Sequence, residues 1–265
     1  MVRVRIDKLN ETKNNNFGSL MIITRFNGQR DIDVYFPKYN WTFYNTHYSI
    51  FKKGNIKCPY EPRVFGIGYI GEGKYSYLTL KNEEKKHSKC YNTWKDMLKR
   101  CYDKKYQSKK PTYIGCTVCE EWHNFQNFAK WYEENYYEVD SETMHLDKDI
   151  LYKGNKIYSP STCIFVPNRI NTLFTKSNLT RGKYPIGVNI DNKTHKFRAR
   201  CSVFDKTNKK MIRVTLGSYN NEIEAFQCYK RFKENYIKEV AEEYKNLIPT
   251  KLYEAMYKYE VEITD

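Results

Sequence analysis

The chain has no apolar run of transmembrane length, and its first ten residues, MVRVRIDKLN, lack the apolar core of a signal peptide. The first absence excludes a helical membrane span. The second predicts a protein that stays in the compartment where it is made. Acidic residues are scarce, 31 against 46 Lys and Arg, which leaves a formal charge of +15. Such an imbalance favours a polyanionic partner, of which nucleic acid is the commonest. The charge is also clustered: from Arg181 to Arg213 there are ten basic residues and two acids, Asp191 and Asp205. The eight cysteines are irregularly spaced, which argues against a disulfide framework and for reduced thiols or metal ligands.

What is present in quantity is aromatic. With 25 tyrosines, many rings must lie on surfaces, where a flat ring with a polar tip suits an interface or a nucleobase. Over residues 1–85 the pieces VRVRI, LMIITRF, DIDVYF, VFGIGYIG and YSYLTL alternate with period two between turn signals, predicting a small β-rich module of unknown role. The run from Gly66 to Gly71 matches G-x-G-x-x-G, but no helix pattern follows to receive a pyrophosphate, so the glycines are read as a bend or bulge. From residue 86 the period lengthens. Trp94, Met97, Leu98 and Cys101 predict one helix, and Trp122, Phe125, Phe128, Ala129 and Trp131 another.

Residues 143–174 read as strand, loop, strand and short helix. Residues 184–219 then give three strands, YPIGVNI, HKFRARCSV and MIRVTLGSY. On the middle strand, alternation places Phe197, Ala199, Cys201 and Val203 on one face and Lys196, Arg198, Arg200 and Ser202 on the other. On the third, Val214 and Leu216 point inward, and Arg213 and Thr215 outward. A helix over about 221–246 follows, with Asn221 as N-cap, Glu224 in capping-box position, and an apolar face of Ile223, Phe226, Tyr229, Phe232, Ile237, Val240 and Tyr244.

The segments Gly187-Val188, KFRARCSV, RVTLGSY and NNEIEAFQCY resemble the AP2/ERF DNA-binding domain over roughly 184–235. The resemblance implies a three-stranded antiparallel sheet packed on a helix. It places base and phosphate contacts at Asn189, Asp191, Arg200, Ser202, Arg213 and Thr215. Asn189 and Asp191 stand where that family usually has arginine, and Thr215 where it has tryptophan. The target sequence therefore does not carry over.

The chain from Trp94 to Asn171 also resembles a group of bacteriophage HNH-endonuclease-like proteins. The carriers are Trp94-x-x-Met97, Arg100-Cys101-Tyr102, VCEEW, LDKDI, YSPSTCIFVP and Ile170-Asn171. Such proteins often carry an AP2-like domain after the ββα finger. The two resemblances imply a multi-module α+β protein: the β-rich module to residue 85, an HNH-like ββα unit with preceding helices over 86–180, an AP2-like domain over 181–246, and a tail over 247–265. They imply sequence-specific binding of double-stranded DNA coupled to metal-dependent phosphodiester hydrolysis, as in a homing-type endonuclease acting on DNA in the cytoplasm of a bacterial host. The alternative is a degenerate finger in a protein that only binds DNA.

Alignment with the finger puts Asp147 at the strand acid and Lys148 where the catalytic histidine usually stands. Asp147 and Asn171 are then candidate ligands for one Mg²⁺, with Asn168 the less well spaced choice on the helix, and Thr162 occupies the structural asparagine position. An ammonium beside two acids is a poor base near neutral pH. Lys148 is therefore read as a phosphate grip, and His145, on the strand face of Asp147 and Asp149, as a substitute base. Cys116-x-x-Cys119 is half of a zinc site that Cys101 and Cys163 could complete as a tetrahedral set, buried free thiols being the other reading.

Overall fold

The computed structural model describes residues 7–81, 84–140, 142–175, 183–208, 210–263 and 265. The expected first strand VRVRI, apart from its flanks, and the basic residues Arg181 and Lys209 lie outside the described residues. The architecture is mixed α+β with several small sheets. No described helix is long and apolar enough to cross a membrane. The chain divides into two compact units, 1–135 with 156–160, and 136–155 with 161–265. This grouping differs from the expected boundaries at 85, 180 and 246.

The first unit opens with a four-stranded antiparallel meander: β1 (Thr12–Asn14), β2 (Leu20–Phe26), β3 (Ile32–Phe36) and β4 (Trp41–Thr46). Its inward side chains, Met21, Ile23, Ile32, Val34 and Phe36, close on Phe51 of α1 (Tyr48–Lys52) and on Ile56 and Cys58. Sequence reading missed both β4 and α1. The glycine-rich run forms a tight bend in which Val64 bridges Gly68. A Cβ on Gly68 would lie 2.4 Å from Leu98 and 2.8 Å from Trp94, so the glycine is there for close packing and not for a nucleotide.

A short hairpin, β5 (Leu78–Lys81) and β6 (Glu84–His87), leads into α2 (Lys89–Tyr102), whose N-terminus is capped by Ser88 accepting from Tyr91 N at 3.1 Å. A second cap, Asp103, starts α3 (Lys104–Lys109) inside what the sequence suggests is a loop. After β7 (Thr117–Val118), Trp122 sits on a 3-10 turn, one step before α4 (Phe125–Asn135). The aromatic stripe is core, as periodicity suggests: Trp94 packs on Phe125, Trp122 on Phe128 and Trp131, and the Trp94 indole donates to Trp122 O at 2.7 Å.

The second unit begins with β8 (Met144–Asp147). The loop that follows supplies β9 (Ile157–Tyr158) to the first unit, where it pairs in parallel with β7. Back in the second unit, β10 (Ile164–Pro167) pairs antiparallel with β8, and α5 (Asn168–Leu173) packs on both. Next come β11 (Val188–Ile190), β12 (Phe197–Asp205) and β13 (Lys210–Tyr219), an antiparallel sheet in that order. The chain ends in α6 (Glu222–Tyr244) and α7 (Thr250–Tyr257).

At 23 residues, α6 is about 35 Å long and serves two cores. Its first half, Ala225, Phe226 and Tyr229, covers Val188, Ala199 and Cys201 of the sheet. Its second half, Ile237, Val240, Ala241 and Tyr244, packs with Ile164, Val166, Ile170 and Leu173 of the strand–strand–helix segment. Ile223 departs from the expected face and is 45% exposed in the first turn, beside the Asn221 cap. Residues 247–265 are not a tail, since Leu252 and Met256 of α7 are fully buried in the second core.

Candidate nucleic-acid interface

Two charged surfaces of the second unit correspond to the candidate sites. On the first, the β8–β10 ladder sets Ile164 opposite Asp147 and Val166 opposite His145. Leu146 points into the core, and His145 and Asp147 share the other face. Asp147 Oδ1 accepts the backbone N–H groups of Asp149 at 2.9 Å and Ile150 at 2.7 Å, an Asx-type turn that ends the strand. Burial, and then the neighbouring Asp149 carboxylate, push the Asp147 carboxyl up to about 6.

Lys148, expected to grip phosphate, is turned inward with its side chain only 8% exposed. Its ammonium donates to Asn155 O at 3.0 Å and pairs with Asp149 at 3.2 Å. Asn155 Nδ2 answers by donating to Lys148 O at 2.7 Å. The lysine thus closes the loop after β8, and a phosphate would have to displace these partners.

His145 Nε2 meets Asn168 Oδ1 at 3.0 Å. The helix asparagine brought to the strand is therefore Asn168 at the start of α5, where spacing favoured Asn171. Among the described residues no hydrogen bond joins Asn171 to Asp147 or His145. Nor do any three His, Cys, Asp or Glu side chains gather into a group that could hold a metal ion. This covers the four expected zinc ligands as well: Cys101, Cys116, Cys119 and Cys163 form no disulfide, and all but Cys119 are buried. Burial raises the Cys119 thiol. Among the described residues, then, neither the acids and histidine around Asp147 nor the four cysteines form such a group.

The second surface is the outer face of the β11–β12–β13 sheet. Ala199 and Cys201 are buried against α6, with Phe197, Val203, Val214 and Leu216 packed around them. Arg200 stands opposite Thr215, and Ser202 opposite Arg213, on the outward face. Ser202, Arg213, Thr215 and Lys196 are exposed, and Asn189 is half-buried opposite Arg198. The face is rigidly held. Gly187, at φ +75°, lets β11 approach α6 so closely that a Cβ there would sit 2.1 Å from the Tyr229 ring.

Asp191 does not present itself as a contact residue. Its carboxylate accepts from Thr194 Oγ1 at 2.8 Å and from Lys193 N at 3.2 Å, and pairs with Arg198. These bonds, led by Thr194, hold the carboxyl below the ordinary aspartate range. Asp191 organises the β11–β12 turn and occupies Arg198. The side chains of Arg200 and Arg213 have no hydrogen bond or ion pair among the described residues, and Arg200 Nε is fully buried without a partner there.

Sequence reading missed Lys233. It lies on α6 four residues after Tyr229 and four before Ile237, in register with the apolar stripe. A lysine at that position was the available signal. No family model, curated protein or solved structure matches this chain.

Proposed function

We propose that the protein binds double-stranded DNA through the outer face of the three-stranded sheet. In this reading the strand–strand–helix finger is a structural part of the unit and not a hydrolytic centre. The observation that carries it is the pair Arg200 and Arg213, guanidiniums without a partner among the described residues, on a sheet face beside the small polar residues Ser202 and Thr215. A narrow antiparallel sheet fits the major groove, where arginine forks onto guanine O6 and N7. The net charge of +15 supports the same partner, as does the resemblance of residues 184–235 to AP2/ERF domains.

Titration of the full chain with labelled duplex at several salt concentrations tests the proposal. With about five phosphates neutralised, log K falls against log salt with a slope of roughly −4 to −5. A flat slope would sink it.

One observation favours the homing-type nuclease as a second reading. The β8–β10–α5 order brings His145 to the helix asparagine Asn168, near a carboxyl pushed up to about 6. Incubation of supercoiled plasmid with Mg²⁺, Mn²⁺ or EDTA decides between the two. Divalent-dependent nicking that disappears in Asp147→Ala while DNA binding persists would replace the structural reading of the finger.

A further inference from the structure

The sheet is only partly covered along one edge. Strand β11 pairs with β12 over Phe197 to Ala199, and the last bond on that edge runs from Arg200 N to Gly187 O at 2.8 Å. Beyond it, a cleft of about 540 Å³ opens beside β12, lined by Arg200, Ser202, Arg213, Lys233, Tyr229 and Asp265 among others. Its volume lies in the range of small-molecule sites and exceeds what a bare ion needs.

The charges in the cleft do not balance. Arg200, Arg213 and Lys233 carry three positive charges, and none of their side chains makes an ion pair or hydrogen bond among the described residues. Lys233 is half-buried as a residue, and its ammonium is desolvated enough to hold it below the ordinary lysine range. The one acid of the lining, Asp265, already takes Lys153 at 2.8 Å, Tyr259 OH at 3.2 Å and Glu262 N at 3.0 Å. Asp191 lowers its own carboxyl partly through Arg200, but its oxygens serve Thr194, Lys193 N and Arg198. The buried Arg200 Nε lacks any acceptor among the described residues, an unfavourable state for a buried donor.

We propose that this cleft is a phosphate-binding site in which Arg200, Arg213 and Lys233 together hold a tetrahedral oxyanion of a phosphate group. A guanidinium engages two such oxygens at once, an ammonium takes a third, and the group supplies the acceptor that Arg200 Nε lacks. The phosphate belongs either to the backbone of a bound duplex or to a free phosphorylated ligand, and the chemistry of recognition is the same. The site rests on the cleft itself and shares Arg200 and Arg213 with the DNA reading.

The test uses the full chain and inorganic phosphate, with chloride at equal ionic strength as reference. Phosphate broadens its ³¹P resonance and raises the melting temperature of the wild type. Lys233→Met keeps the buried stem and removes the charge, weakening that binding by about tenfold or more, the worth of one charge-assisted hydrogen bond. The melting curve of Lys233→Met in chloride verifies its fold. Arg200→Gln provides a second variant with the same expected loss. A wild type that responds to phosphate no more than to chloride overturns the site, whatever it does with DNA. Equal responses from wild type and both variants overturn it too. Once phosphate binding is established, displacement by a short duplex assigns the phosphate to the DNA backbone, and its persistence beside bound duplex assigns it to a free ligand. A protein that takes phosphate but no duplex keeps the cleft and loses the DNA proposal.

Discussion

The finger and the sheet of the second unit use their charged side chains in opposite ways. In the finger Lys148 is held by Asp149 and Asn155 O, and Arg169 by Glu243 at 2.7 Å. His145 also has a partner, in Asn168. On the sheet and in the cleft beside it, the side chains of Arg200, Arg213 and Lys233 make no hydrogen bond or ion pair among the described residues. Desolvating a charge is tolerated when a partner compensates, so a partnered ion is a building element and an unpartnered one invites a ligand. The difference shows that residue types at family positions name a candidate site, while the partners decide whether it is available.

The largest effect that could break this contrast is at Lys148. If the lysine closes the loop, Lys148→Ala costs about 2–3 kcal/mol of unfolding free energy, from the lost buried stem and the orphaned Asn155 carbonyl, and leaves DNA affinity alone. Urea unfolding beside a duplex titration measures both. An unchanged midpoint with weakened DNA binding would make the finger lysine a phosphate contact after all. The counterpart on the sheet is Arg213→Ala. Its side chain is exposed and unpartnered, so the melting temperature should stay put while affinity for the preferred duplex drops about tenfold or more, as one bidentate base contact is worth about 1–3 kcal/mol. Equal affinity in variant and wild type would take Arg213 out of the interface.

Asp147 sharpens the comparison through pH. Its folded carboxyl titrates at about 6, against 3.8 for an ordinary aspartate. Between those values the native state binds more protons than the unfolded chain, so wild-type stability falls as pH rises from about 4 to about 6 and is flat above. Asp147→Asn keeps an oxygen for the two backbone N–H groups and removes the charge. It should gain on the order of 1–2 kcal/mol at pH 8 and lose this pH dependence, read from unfolding curves at pH 4, 6 and 8. A variant less stable than wild type at pH 8 would mean that the ionised carboxylate has a stabilising partner.

Much of the sheet was legible because strand alternation is a local rule. Ala199 and Cys201 inward, Ser202 and Arg213 outward, and the Asn221 cap all follow from near neighbours in sequence. The order strand, strand, helix of the finger was legible for the same reason. Its chemistry was not, because Lys148 is defined by Asn155 seven residues on and His145 by Asn168 twenty-three residues on. The shared role of α6 was hidden too. One apolar stripe covers two cores, and periodicity does not say what a helix face meets. The strand β4 escaped because WTFYNT shows weak alternation, its tertiary pairing with β3 outweighing the local pattern.

The smallest effect lies where the contrast is blurred, at the one arginine of the sheet that does have a partner. Asp191 holds Arg198 in the β11–β12 turn, so the face presents two unpartnered guanidiniums where the strand pattern offers three. Asp191→Asn keeps acceptor and donor atoms for Thr194 and Lys193 N but removes the charge that retains Arg198. The freed guanidinium adds one cation to the face. Affinity for duplex should rise about two- to fivefold at low salt, with a salt slope steeper by roughly one. The acid side reports on the same group. A carboxyl held below 3.8 contributes stability that is present above that value and lost as pH falls through its lower folded value. The variant should therefore lose less stability than wild type on acidification below pH 4. Unchanged DNA affinity together with wild-type acid sensitivity would show that Arg198 belongs to the turn and not to the interface, leaving Arg200 and Arg213 as the face's working pair.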